Sequence, residues 1–423
     1  YSEISLIASS LTDAGTDLLH SAALNEALLP AIAIYGPNAA GKSNIIFSLQ
    51  FFRTCILNSH RDAASSSEIN RVPFLLDRES RKEPTRFDAD FLVGGVRYHY
   101  GFTCDESAFL DEWLYAFPKG RRQTWFYRRA GEFEFGKNFT GRNRTIADFT
   151  GAKSLFVSAA AQNNHELIVP IYNYFRDNFV FYMGSEDLDL VQTYLSDPKT
   201  RTMILSFLAQ SDFGVSDIEI EERKLAPKSV EMINEFMPIV KRHFQIPETE
   251  MPPMVRKEPR LGHVGEDDET FYLRWSLESQ GTMQLVALLG PIMDALSKGK
   301  ILVIDEIDSS LHSLVASVLV KAFGSRDVNK NGAQIIFSTH DTNLLCSGCL
   351  RRDQIWFTEK DRWGKTIIYP LTDITTRKSD NIERGYLEGR FGAIPFLGDW
   401  RALFSGVESP IEPQGKLDLA QSS

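Results

Sequence analysis

Cysteine is scarce in this chain, long apolar runs are missing, and positive charge never gains the upper hand. Four cysteines among 423 residues, Cys55, Cys104, Cys346 and Cys349, are too few to staple a chain of this size, which excludes a disulfide framework. Cys346 and Cys349 stand close enough for half a metal site, but no second ligand pair accompanies them, and they read as loop and helix cysteines of a reducing cytosol. No apolar run reaches the roughly 18 residues of a membrane span, and the opening YSEISLIASS lacks the basic-then-apolar order of a secretory signal. Lys and Arg number 46 against 56 Asp and Glu, a formal charge of −10, so no general attraction to nucleic acid is expected. These absences point to a cytoplasmic protein with no membrane partner.

What is present is a chain that is 43% hydrophobic, enough for a sizeable core and for more than one domain. Residues 35 to 46, YGPNAAGKSNII, follow the apolar run Ala31 to Ile34 and precede a helix-compatible segment. Gly36, Gly41, Lys42 and Ser43 have the spacing of a complete P-loop. In such a loop the glycines let consecutive backbone N–H groups close around an anion, the lysine reaches the β and γ phosphates, and the serine holds magnesium. ATP with Mg²⁺ is therefore the expected ligand, and Asn38 and Asn44 complete the loop's binding set. Far downstream, ILVIDE (Ile301 to Glu306) is an apolar strand ending in two acids. Asp305 is placed to organise magnesium and Glu306 to position the attacking water. QIIFSTHD brings His340 to another strand end, in reach of the γ phosphate. Ser279 and Gly281, just before an apolar helix, offer a second phosphate cradle. Two cradles in one chain suggest a nucleotide held between protomers, with a helix cap as the plain alternative for Ser279.

The strand and helix order divides the chain into three parts. Residues 1–160 read as an N-terminal lobe with the P-loop and, from Phe87, an antiparallel meander. Residues 161–265 read as an inserted, mainly helical arm, and 266–423 as a C-terminal lobe of alternating strands and helices. Smaller expectations are a weak strand over Ser2 to Ser9, a strand at KSLFVS (153–158), a helix at VEMINEFMPIVKRHF, and a loop from IPETEMPPM to Thr270. The stretch KGRRQTWFYRR (Lys119 to Arg129) fits a sheet strand buried on one side. Direct contact with nucleic acid through its arginines and aromatics stays open beside that reading.

The order of P-loop, serine-glycine turn, DE-ending strand, SSLH and STHD resembles the ATP-binding-cassette ATPases of the SMC and DNA-break-repair type. In particular it resembles bacterial anti-phage and abortive-infection ATPases related to RloA or AbiLi, and more distantly the Septu ATPase subunit and the OLD proteins. The tail RKSDNIERGYLEGRFGAIPF is similar to the closing segment of the abortive-infection group. The resemblance implies an α/β fold, a split ABC-type P-loop ATPase head with an antiparallel β subdomain and the inserted arm. It implies Ser279 to Gln284 as signature, Ser309 to His312 as the loop that crosses a dimer interface, His340 as switch histidine and Gln162 as the link to the arm. It further implies a Mg-dependent ATPase that closes as a homodimer around shared ATP, with a larger homo-oligomer open. Its partner would be a separate nuclease or toxic effector, and a chromosome-maintenance or DNA-repair ATPase is the alternative. The chain departs from the transporter pattern in having ESQGT for the full signature and His312 where many relatives have aspartate.

Overall fold

The computed structural model describes residues 2–13, 15–63, 68–184, 187–211, 213–224, 230–232, 234–236, 255–346 and 348–394. Its strands are β1 (Ala31–Tyr35), β2 (Thr85–Val93), β3 (Val96–Cys104), β4 (Phe109–Phe117), β5 (Gln123–Arg129), β6 (Glu132–Phe135), β7 (Phe179–Tyr182), β8 (Val215–Lys224), β9 (Val255–Val264), β10 (Thr270–Arg274), β11 (Ile301–Ile304), β12 (Gln334–Ser338), β13 (Ile355–Lys360) and β14 (Thr366–Pro370). Its helices include α1 (Lys42–Asp62), α2 (Asn143–Phe149), α3 (Phe156–Gln162), α4 (Val169–Asp177), α5 (Leu188–Ser196), α6 (Pro198–Ala209), α7 (Gln280–Lys298) and α8 (Ser313–Phe323).

The centre is a six-stranded sheet in the order β14-β13-β1-β12-β11-β7. Strands β7, β11, β12, β1 and β13 run parallel, and β14 closes one edge antiparallel to β13. A parallel sheet covered on both faces requires strands that are apolar throughout. The first strand meets that demand: Ala31, Ala33 and Tyr35 face the large core with α7 and α8, while Ile32 and Ile34 face a smaller cluster joined by Ile45 and Leu49 of α1. Five antiparallel strands, β2 to β6 in sequence order, form a second sheet. Its inner face packs Tyr100, Phe102, Leu114 and Phe126 against Phe52 and Ile56 of α1 and against α3 and α4. The third sheet, β10-β9-β8, lies next to α5 and α6. The fold is thus α/β with an antiparallel β subdomain and helices inserted between the two halves of a P-loop ATPase head.

Several local expectations give way to tertiary contacts. KSLFVS is not a strand, because Phe156 begins α3. The carboxylate of Glu112, fully buried on β4, accepts the N–H groups of Phe156 (2.6 Å) and Val157 (3.1 Å) and so caps that helix from another element. An acid at a helix start is favourable, but this one comes from a distant strand. Ser2 to Ser9 contributes only a bridge between Ile7 and Leu28. The charged run before Thr270 is strand β9 rather than loop, because its pairing with β8 and β10 satisfies its backbone. IPETEMPPM and most of VEMINEFMPIVKRHF lie outside the described residues, as does the end of the tail segment.

Candidate functional site

The turn after β1 is shaped from behind by two threonines. A Cβ added at Gly36 would overlap the hydroxyl and carbonyl oxygens of Thr358, and one added at Gly41 would overlap the hydroxyl of Thr366. These hydroxyls brace the loop: Thr358 donates to the Tyr35 carbonyl at 3.1 Å and Thr366 to the Ala40 carbonyl at 3.0 Å. Ala39 and Gly41 have φ of 63° and 104°, the left-handed conformations a tight anion-binding loop needs. Gly36 is buried, Asn38 and Asn44 are exposed at the rim, and Ser43 is half-buried at the first turn of α1.

Lys42 is only 6% exposed. Its ammonium donates to the carbonyls of Gly36 (3.1 Å) and Pro37 (3.3 Å) and to Nε2 of His340 (2.8 Å). Burial lowers the pKa of Lys42, while Glu306, Asp305 and Asp308 oppose that shift by favouring its charge. His340 is also lowered, first by burial and then by the Lys42 charge, which suits an imidazole that accepts from an ammonium.

The DE end of β11 is anchored by its neighbour. The register that pairs Ile304 with Phe337 sets Ser338 beside Asp305. The Ser338 hydroxyl donates to Asp305 Oδ1 at 2.5 Å and accepts the Glu306 N–H at 2.7 Å. Glu306 takes φ 55°, a conformation that costs a non-glycine residue of order 1–3 kcal/mol and recurs at functional sites. Its side chain is exposed above the sheet end. Asp308 accepts the His340 N–H with both carboxylate oxygens at 3.2 Å. Lys42, Asp305, Glu306, Asp308 and His340 therefore gather at the carboxyl ends of β1, β11 and β12, where open parallel sheets place their ligands.

Sequence reading missed Asp308, Ser338, Thr358 and Thr366. Only Ser338 and Asp308 had a local signal, as polar residues at strand ends beside a named acid and histidine. The threonines brace the loop from strands of the last third of the chain, which spacing does not reveal.

Four predicted residues, Ser279, Gly281, His312 and Gln162, lie apart from this cluster. Ser279 caps α7, accepting the Thr282 N–H at 3.1 Å and bonding its hydroxyl at 2.8 Å. A Cβ on Gly281 would stand 3.0 Å from the Ser310 carbonyl, so this turn abuts the loop after β11 and not the P-loop. His312 caps α8 through Nδ1, accepting from the Leu314 N–H at 3.2 Å. Gln162 is exposed at the end of α3, its amide 3.5 Å from the Tyr172 hydroxyl, which donates to the Leu57 carbonyl. Leu57 lies about 22 Å along α1 from Lys42 at about 1.5 Å per residue, so Gln162 is not brought to the loop.

The residues present fit a nucleotide with magnesium. The loop is a backbone turn whose glycines sit too close to Thr358 and Thr366 to carry side chains, and Lys42 supplies a buried cation bonded to its carbonyls. Ser43 and Asp305 are oxygen donors of the kind magnesium takes in ones and twos, the rest of its shell coming from phosphate and water. Among the described residues no group of three or more His, Cys, Asp or Glu forms an all-protein metal site, and none of their helices is long and apolar enough to cross a membrane.

Residues 31–347 match the model of the family described as "AAA domain, putative AbiEii toxin, Type IV TA system". No curated protein matches. Among solved structures, the chain is similar to an SMC head bound to the C-terminal winged-helix domain of ScpA, at 14% identity over 82% of this chain and 93% of that one, with a TM-score of 0.30. It is also similar to cbiO1 from Clostridium perfringens, part of the ABC transporter complex cbiONQ, at 11% identity over 85% and 88%, with a TM-score of 0.27.

Proposed function

The chain belongs to this AAA-domain family, whose description ties it to AbiEii and toxin–antitoxin biology, and from that premise we propose a Mg-dependent ATPase switch of anti-phage defence. The observation that carries the reading is the buried Lys42 ammonium, held at the P-loop opposite Asp305, Glu306 and Asp308. Lys42 would leave the carbonyls of Gly36 and Pro37 for the β and γ phosphates, a charge-assisted contact in a site of low dielectric. Ser43 and Asp305 would hold magnesium, which when bound neutralises charge on the phosphates. Glu306 would orient and accept a proton from the attacking water, and His340, released from Lys42, would face the γ phosphate or its water. Gly36 and Gly41 would give the backbone its close approach. On this reading Ser279 and Gly281 close the partner protomer's site, and closure controls a separate nuclease or toxic effector.

The experiment separates binding from chemistry. Lys42→Ala should weaken ATP affinity at least tenfold, since lost charge-assisted contacts cost about 1.5–3 kcal/mol. Glu306→Gln should bind ATP as before and lose single-turnover hydrolysis. Unchanged turnover in Glu306→Gln would remove that residue from its role, and unchanged affinity in Lys42→Ala would remove the loop.

A further inference from the structure

The stretch Lys119 to Arg129 divides in the structure. Trp125, Phe126 and Arg128 turn inward: Arg128 is 2% exposed and donates to the Ser154 carbonyl at 2.7 Å. That half is sheet packing. The other half, Lys119 to Arg122, forms the loop from β4 to β5 and is exposed, at one corner of the outer face of the antiparallel sheet.

The outer face carries a ladder of stacked π-surfaces. On β3 and β4, His99 pairs directly with Tyr115 and Arg97 with Phe117. The rings of His99 and Tyr115 are 5.9 Å apart and 5° from parallel, and His99 also stacks on Trp113 at 6.5 Å. Gly101 opposite Trp113 makes this possible, because a Cβ there would overlap the indole. Guanidinium groups cover the rings: Arg122 stands 3.8 Å over Tyr115, Arg97 3.9 Å over Phe117 and Arg86 4.7 Å over Trp113. The Tyr115 and Phe117 corner thus gathers Arg97, Lys119, Arg121 and Arg122. The acids beside it are Asp90, which holds His99 at 3.0 Å and Arg97 at 3.8 Å, and Asp88, which holds Arg86 at 2.7 Å. On a chain of formal charge −10, this corner is positive.

We propose that this corner of the antiparallel sheet, Arg97, Tyr115, Phe117 and Arg122 with Lys119 and Arg121, binds single-stranded nucleic acid. Cations spaced along a loop suit a phosphate backbone, and rings capped by movable guanidinium groups suit unpaired bases, which stack on aromatic or guanidinium planes. An acidic peptide would use the charge but not the stack of rings. A duplex hides the faces of its bases. The surface lies on the second sheet and uses none of the residues proposed for nucleotide chemistry, so it stands or falls independently of that proposal.

The test is anisotropy of fluorescent oligo-dT and oligo-rU titrated with the full chain across salt concentration. The wild type should bind at least one of them, with affinity falling as salt rises. Arg97→Glu with Arg122→Glu should weaken binding at least tenfold and make the slope of log affinity against log salt shallower by about 1.4, at about 0.7 per phosphate contact of a single strand. Tyr115→Ala should cost about tenfold at an unchanged slope, the lower range of a lost stacking platform. Arg384→Glu, an exposed charge reversal elsewhere, should change nothing, and ATP binding should be intact in every variant. Where charge reversal lowers the melting temperature, the Arg97→Gln, Arg122→Gln pair decides. Absence of wild-type binding at low salt, equal loss in Arg384→Glu, or displacement by polyglutamate or duplex as effective as by oligo-dT overturns the proposal.

Discussion

Lys42 and His340 touch at 2.8 Å, although 298 positions separate them, and the contact requires an imidazole without its second proton. Burial and the Lys42 charge hold the pKa of His340 below its ordinary value. Between that lowered value and about 6.5, the unfolded chain binds a proton that the folded chain refuses, so this contribution to stability rises with pH and is lost as pH falls. Thermal unfolding of the nucleotide-free chain between pH 8 and 5 should show the midpoint dropping on the acid side. His340→Ala should flatten that part of the profile, and an unchanged slope would show that other groups carry it.

Ser338 serves two masters at the end of β11, the Asp305 carboxylate and the Glu306 N–H. Ser338→Ala leaves both without this partner, at a cost of about 1–3 kcal/mol for an unmet buried group. Stability by denaturant titration should fall by that order, ATP affinity should stay within a fewfold, and single-turnover hydrolysis should slow at least tenfold. A variant as fast as the wild type would mean that Ser338 only holds the strand end.

The two P-loop glycines differ in what blocks a side chain. At Gly41 the first obstacle is the side chain of Thr366, whereas at Gly36 it includes the Thr358 backbone carbonyl. Alanine at either should lower nucleotide affinity and stability. Adding Thr366→Ala should recover part of the loss in Gly41→Ala, with the rest due to its φ of 104°. Thr358→Ala should recover much less in Gly36→Ala, since the carbonyl remains. Calorimetric ATP titration of the four variants reads this out, and equal recovery at both positions would contradict it.

The shared-site reading has a mixing test. In one protomer, Ser279 and Gly281 abut the Ser310 loop, and on the shared-site reading the phosphate they touch is another copy's. Ser279→Arg in one protomer and Lys42→Ala in the other leave one intact composite site. Hydrolysis in the mixture should exceed the sum of the separate variants. If it stays at that sum while mixed dimers are demonstrated, the shared site fails.

What was legible in the sequence followed from short-range geometry. The P-loop, the DE strand and the STHD strand end each announce themselves within ten residues, and parallel pairing then brings Lys42, Asp305 and His340 together. What was illegible depended on distant partners. Glu112 caps, from another element, the helix that begins at Phe156 within KSLFVS, and Thr358 and Thr366 brace a loop over 300 residues earlier. Gln162 shows the opposite failure: its place in the motif order suggested the nucleotide site, but α3 packs beside the far half of α1.

The first strand's neighbours also govern when the site can exist. Ala31 pairs with Ile335 and Ala33 with Ile355, so β1 emerges from the ribosome with neither edge filled. At about 5–20 residues per second, its partners follow roughly 15 to 60 s later. Strands β2 to β6 need only hairpins with their sequence neighbours and can assemble in the interval, since local contacts form first. A nascent or truncated chain that stops short of β12 would own every glycine of the loop, and still present an open strand instead of a grip on phosphate.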